Sequence, residues 1–129
     1  EVKVIKVTSV QDVGRVINSA CVRGQIQGAV AQSIGLSLYE SMRFAEDGNI
    51  IEANLQFYRL PLAVDIPRVE YVTMEQENSE GPFGAKGSGE APVLLPAAVI
   101  ANAVADAIGK RITKIPITPE DVLQALAET

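Results

Sequence analysis

Alternating apolar and polar residues predict four strand segments along the chain. Residues 2–8 alternate and are β-branched, which is typical of a strand, and residues 50–57, 69–75 and 112–117 have a similar character. A turn at Asp12-Val13-Gly14 is expected to end the first of them.

Three other segments have helical patterns. Residues 24–42 place Ile26, Val30 and Ile34 on one apolar stripe that can face a core. Residues 93–108 are rich in alanine and aliphatic side chains, which predicts a largely buried helix. Its regular part is expected to begin near Pro96 and to end at Gly109.

The third helix is short and has strong start signals. Thr118 is suited to the N-cap and Pro119 to the first helical position, and two acidic residues follow. Its Val122, Leu123 and Leu126 are expected to pack against the body of the protein.

The connections complete an α+β pattern. Asp47-Gly48-Asn49 predicts a turn, residues 58–67 an extended loop with two prolines, and residues 76–80 a polar segment. With no internal repeat and no linker, the sequence predicts one domain over residues 1–129, a mixed sheet with packed helices.

Composition excludes several classes of function. A net charge of −5 argues against nucleic acid, which requires a basic surface. Without histidine, a Ser-His-Asp triad, a Cys-His pair and a histidine metal site are impossible within the chain, and the single Cys21 cannot build a metal cluster or an internal disulfide. No metal ligands are therefore predicted.

The same composition bears on location. Neither a membrane span nor a secretory signal is expected, and one cysteine suits a reducing compartment, so a cytoplasmic location is predicted. Because the chain opens at Glu1 and enters a strand pattern at once, we interpret it as a piece of a longer protein.

One face of the first predicted helix has an unusual composition. Gln25, Gly28, Gln32 and Gly35 follow one another at i, i+3, i+7 and i+10. A glycine inside a helix costs about 1 kcal/mol relative to alanine, so two on one stripe require a reason. Either another backbone packs closely there, or a ligand approaches and the amides bind it.

The glycine-rich residues 81–92 carry the candidate chemistry. Backbone N–H groups between a strand and a helix attract anions. The phosphate-loop pattern fails because Gly87 follows Lys86, and the dinucleotide pattern fails because Pro92 stands where its third glycine belongs. Glu90 is either a solvated residue at a helix entrance or, in a dry pocket, a proton acceptor. Lys86 is either an anion partner or a solvated loop residue.

Three stretches resemble the bacterial molybdenum hydroxylases. Residues 84–92 are similar to that family's G-A-K-G-x-G-E-P segment, residues 24–35 to its G-Q-x-x-G-x-x-x-Q-G-x-G helix, and residues 12–18 to its D-V-G-x-x-I-N-P turn. The departures are Ser19 for proline, Ser33 for glycine, and Ala91 inserted between Glu90 and Pro92.

The resemblance implies a C-terminal segment of the molybdopterin-binding large subunit of the xanthine dehydrogenase and aldehyde oxidoreductase family, within its second molybdopterin-binding domain. Glu90 would be the catalytic base. The residues implied in binding the molybdenum-molybdopterin cofactor are Gln32, Lys86, Gly87, Ser88 and Gly89.

The implied reaction hydroxylates a purine, another N-heterocycle or an aldehyde with oxygen from water. The implied partners are the remainder of the subunit, domains or subunits with iron–sulfur clusters and FAD, and a small-molecule substrate. The chain alone is expected to be inactive. The alternatives are a non-catalytic structural or assembly module with the family fold, and a binding domain for phosphate-containing ligands.

Overall fold

A pair of parallel strands joins two distant parts of the chain. In the computed structural model, which describes residues 1–76 and 80–128, strand β1 (Lys6–Asp12) pairs in parallel with strand β2 (Arg68–Met74). Parallel strands need a long crossover connection, which here contains helix α1 (Ser19–Leu38). The α+β prediction is confirmed, although the sheet is a two-stranded parallel ribbon and not a mixed sheet.

Helix α1 supplies the largest part of the core. Asn18 caps its N-terminus by accepting a hydrogen bond from the backbone N–H of Cys21 at 3.0 Å. The predicted apolar stripe is confirmed, because Ile26, Val30 and Ile34 are at most 1% exposed.

Two further helices follow β2. Helix α2 (Pro96–Ile108) begins at the proline and ends at Gly109, whose φ of 70° is the left-handed conformation of a C-cap, as predicted. Helix α3 (Pro119–Ala127) is capped by Thr118. Two buried clusters result. The first contains Val30, Ile34, Leu38, Ile100, Val104 and Ile117, and the second contains Val13, Val22 and Ile26.

Several predicted elements are wrong. Residues 50–57 form turns with one isolated bridge, between Phe44 and Ile50, and residues 112–117 form no strand. Residues 2–5 precede β1 without joining it, and α1 begins five residues before its predicted start. Propensity alone overestimated these strands, because a strand also needs a partner whose backbone is within hydrogen-bonding distance.

The predicted burial of α2 is also wrong. Its buried residues are Ile100 and Val104, whereas Val99 is 58% exposed. In α3, Val122 packs against the first cluster, but Leu123 and Leu126 are exposed. The polar segment at 76–80 lies largely outside the described residues.

One described stretch, Ala91–Ile108, is long and apolar enough by composition alone to cross a membrane. It is not one continuous α-helix, because a 3-10 turn (Ala91–Val93) precedes α2. The 13 residues of α2 extend about 20 Å, short of the roughly 30 Å of a bilayer's hydrocarbon core.

Candidate functional site

The glycine-rich segment, residues 81–92, is attached at one end to the turn that follows β1. The backbone N–H of Arg15 donates to the carbonyl of Gly84 at 2.8 Å, and that of Lys86 donates to the carbonyl of Val13 at 2.9 Å. These bonds frame an isolated antiparallel bridge between Gly14 and Ala85. The loop therefore begins from a fixed position beside the sheet.

Glycine is required at position 14. Its φ is 55°, and a Cβ atom there would lie 2.2 Å from the carbonyl oxygen of Gly84. The sequence predicted a turn at this point but not that the glycine segment packs on it. No local signal could have revealed that contact, since it joins residues about 70 positions apart.

Asp12 makes a second connection to the same segment. One carboxylate oxygen accepts the backbone N–H of Gly14 at 3.0 Å, and the other forms an ion pair with the ammonium of Lys86. The Lys86 hydrogen bond, followed by that from Gly14, holds the pKa of Asp12 below its ordinary value. Lys86, predicted to bind the cofactor, thus has its charge paired within the chain.

The other end of the segment is attached to the helical layer. Pro92 is buried, and the 3-10 turn that contains it packs against α1. Glu90 immediately precedes this turn, and its backbone carbonyl accepts a hydrogen bond from Val93 at 3.0 Å. The carboxylate of Glu90 is exposed.

Between the two attachments the backbone is open. Within residues 1–76 and 80–128, the backbone N–H groups of Gly87, Ser88 and Gly89 have no hydrogen-bond partner. A Cβ atom on Gly87 would meet nothing within 4 Å, and one on Gly89 would lie 3.8 Å from the side-chain oxygen of Gln25. Gln25, which the sequence placed on the glutamine-glycine face, therefore borders the loop.

The four residues of that face have different surroundings. A Cβ atom on Gly35 would collide with the carboxylate of Glu40 at 1.9 Å, so this glycine serves close packing. A Cβ atom on Gly28 would meet nothing within 4 Å, and Gln25 and Gln32 are exposed. The atoms nearest to Gly35 belong to the side chains of Glu40 and Pro61 and not to another backbone, and open space adjoins Gly28.

Comparisons with known proteins identify the family. The domain family described as "Molybdopterin cofactor-binding domain" matches residues 1–67, about half of the chain. The chain belongs to this family. The resemblance drawn from the sequence is confirmed, and molybdopterin is the cofactor that the family binds.

Relatives match nearly the whole chain. The gamma subunit of the 6-hydroxypseudooxynicotine dehydrogenase complex of Paenarthrobacter nicotinovorans is 40% identical over 123 residues, covering 93% of this chain and 16% of the relative. The xanthine dehydrogenase molybdenum-binding subunit of Escherichia coli O157:H7 is 33% identical, with coverages of 93% and 16%.

A solved structure supports the fold. Quinoline 2-oxidoreductase from Pseudomonas putida 86 superposes with a TM-score of 0.90 at 31% identity, over 98% of this chain and 16% of that one. The chain therefore spans about one sixth of the length of the proteins it resembles.

The exposed groups of this chain fit such a cofactor chemically. Amide side chains on α1 and free N–H groups on the loop are donors and acceptors suited to a pterin and its phosphate. Gln32 lies seven residues beyond Gln25, about 10 Å farther along the helix axis. The structure brings Gly89 next to Gln25, whereas Gln32 lies about two helical turns beyond Gln25. No cluster of three or more acidic or cysteine side chains suited to a metal occurs among the described residues.

Proposed function

We propose that the chain is part of a xanthine dehydrogenase-like molybdenum hydroxylase. Such an enzyme hydroxylates a purine, another N-heterocycle or an aldehyde with oxygen from water. Residues 1–129 would form a single domain of its cofactor-binding region. The observation that carries the proposal is Glu90, an exposed carboxylate at the end of an open glycine loop, in a chain of a molybdopterin-binding family.

We assign cofactor binding to exposed amide groups of the side chains and of the backbone. The side chain of Gln32 and the backbone N–H groups of Gly87, Ser88 and Gly89 would hold the cofactor by hydrogen bonds. When bound, the molybdenum-molybdopterin group supplies the redox centre that accepts the electrons of the hydroxylation. A direct contact of Lys86 with the cofactor stays a prediction, since its ammonium is paired with Asp12.

Glu90 would serve as the general base. A carboxylate oxygen accepts the proton released when water-derived oxygen is transferred to the substrate carbon, and later returns it to solvent. This role requires that water be largely excluded around Glu90 during turnover. The carboxylate is exposed in this chain, so we propose that the remainder of the subunit and the bound substrate cover it.

The remaining partners follow from the same proposal. Electrons would leave through iron–sulfur clusters and FAD on other domains or subunits, and the assembly would be cytoplasmic. That the first relative is named a subunit of a complex supports the existence of partner subunits.

Replacement of Glu90 by glutamine tests the base. In the assembled enzyme, Glu90→Gln keeps the size of the side chain and removes its basicity, so turnover should fall roughly 10²- to 10⁴-fold with molybdenum content unchanged. Glu120→Gln, an exposed glutamate in α3, is the matched control and should leave turnover unaltered. Undiminished turnover of Glu90→Gln would contradict the base and favour a structural or assembly module.

A further inference from the structure

Asp12, Gly14 and Lys86 form a contact that we call the clasp, at the start of the loop that carries Glu90. We propose that the clasp is a positioning device, in which the ion pair between Asp12 and Lys86 fixes where the Glu90 carboxylate lies. The inference rests on the proposed function for its effect on turnover. Its structural part can be tested separately.

The geometry of the clasp joins three kinds of contact at one point. Asp12 shapes the turn through the N–H of Gly14 and, with its second oxygen, pairs with Lys86. Two backbone hydrogen bonds, from Arg15 to Gly84 and from Lys86 to Val13, lie beside this pair. The ion pair therefore lies next to the backbone bridge that attaches the loop.

The ion pair lies at the protein surface, where it contributes little to global stability. The side chains of Lys86 and Asp12 are 36% and 31% exposed. Pairs at the protein surface contribute little to folding, because water screens the charges and ordering long side chains costs entropy. Local positioning is therefore the effect that we expect the pair to have.

The position of Glu90 depends on the two ends of its loop. Residues 87–89 have no backbone hydrogen bond to the described part of the chain, so they do not fix its path. The path is held at Lys86 by the ion pair together with the hydrogen bond from its N–H to Val13, and at Pro92 by burial against α1. Without the ion pair, this attachment depends on the backbone hydrogen bonds alone, so it loosens and Glu90 can shift. A misplacement of about 1 Å can reduce turnover roughly a hundredfold.

Two substitutions separate the ion pair from the turn. Asp12→Asn keeps an oxygen that can accept the N–H of Gly14 but removes the charge, and Lys86→Met removes the partner. Lys86→Arg keeps the charge and is the conservative rescue. Glu70→Gln is the control, since the carboxylate of Glu70 pairs with Lys6 of β1 at 2.7 Å and with Arg68 at 3.4 Å, and its exposure of 37% is close to that of Asp12.

The experiment measures amide hydrogen exchange, molybdenum content, kcat and KM in the assembled enzyme. In Asp12→Asn and Lys86→Met, the backbone amides of Arg15 and Lys86 should exchange faster. We expect kcat to fall about ten- to a hundredfold with KM and molybdenum content largely unchanged. Lys86→Arg should recover most of kcat, and Glu70→Gln should match the unmodified enzyme in all four measurements.

Each contrary result would overturn a defined part of the proposal. Unaltered exchange at both amides overturns the clasp, whatever the turnover. If Glu90→Gln is inactive but the clasp variants show faster exchange with unaltered kcat, the link between the clasp and Glu90 is overturned. A loss of molybdenum from the clasp variants in proportion to their loss of turnover overturns the same link. If Glu90→Gln is fully active, the proposed function fails, and hydrogen exchange alone decides whether the clasp exists.

Discussion

At the scale of single residues, α1 presents two unlike surfaces at consecutive positions. Gln32 is exposed, whereas Ser33 is fully buried, and its hydroxyl donates a hydrogen bond to the carbonyl of Ala29 at 2.8 Å. Ser33 is one of the departures from the family pattern. Its side chain faces the core, so the departure leaves the exposed strip of Gln25, Gly28 and Gln32 unaltered.

Replacement of Gly28 by alanine should therefore separate stability from cofactor binding. The new methyl group meets nothing within 4 Å and removes the cost of a helical glycine, so the free energy of unfolding should rise by up to about 1 kcal/mol. On the proposed function the methyl intrudes on the cofactor, and molybdenum content should fall. Urea unfolding and metal analysis of the full protein measure the two effects.

The matched control for Gly28→Ala is Gln27→Ala. Gln27 is exposed on the same helix but is turned about 100° from Gly28. The Gln27→Ala variant should therefore leave the molybdenum content unchanged. A Gly28→Ala protein that retains its full molybdenum content would show that the open space at Gly28 is not used by the cofactor.

At the scale of elements, the sequence predicted those whose signals are local. The apolar stripe of α1, the limits of α2 at Pro96 and Gly109, and the capped start of α3 all depend on neighbouring residues, and all are confirmed. The strand predicted at 50–57 failed because pairing depends on distant chain.

The same distinction applies to the candidate site. The glycine segment and Glu90 could be located from composition and resemblance. The contacts that define the clasp could not, because no pattern within residues 81–92 indicates that Asp12 lies opposite Lys86. Long-range contacts of this kind are set by how strands and loops pack in three dimensions.

The cap of α3 provides a pH prediction. Lys114 pairs with Asp121 at 2.6 Å, and the backbone N–H and hydroxyl of Thr118 each donate to the same carboxylate at 2.9 Å. The hydrogen bond from Lys114, then those from Thr118, hold the pKa of Asp121 below its ordinary value of 3.8. The carboxylate therefore stabilises the fold fully above that value, and the effect is lost as pH falls through the lowered pKa.

Asp121→Asn should accordingly destabilise the protein near pH 7 and have a smaller effect near pH 3. The measurement is the difference in urea midpoint between the unmodified protein and the variant at each pH. Asp106→Asn is the control, because the carboxylate of Asp106 has no hydrogen bond or ion pair to any described residue, and its difference in urea midpoint should be small at both pH values. If the difference in urea midpoint between Asp121→Asn and the unmodified protein does not become smaller from pH 7 to pH 3, the role assigned to the charge of Asp121 is contradicted.

At the scale of the whole molecule, large apolar side chains remain exposed on several elements. Phe83 is 84% exposed, Leu55 77% and Leu94 74%. The residues between α1 and β2 and the outer side of α2 contribute many of the others, including Met42, Phe44, Phe57, Leu62, Val64, Leu95 and Val99. We infer that part of this apolar surface is covered by further protein, in line with the proposed partners.

Residues 1–129 produced alone should neither hold the cofactor nor oxidise a substrate. They span about 16% of the relatives they resemble, and both Glu90 and Gln32 are exposed, so they cannot enclose a cofactor. We expect this chain to bind an apolar dye strongly, to contain no molybdenum and to oxidise neither a purine nor an aldehyde. A longer protein that includes the same residues should contain molybdenum and oxidise the substrate, and its Glu90→Gln form should retain molybdenum with strongly reduced turnover. Stoichiometric molybdenum and substrate oxidation by residues 1–129 alone would refute the view that this domain supplies one part of a shared site.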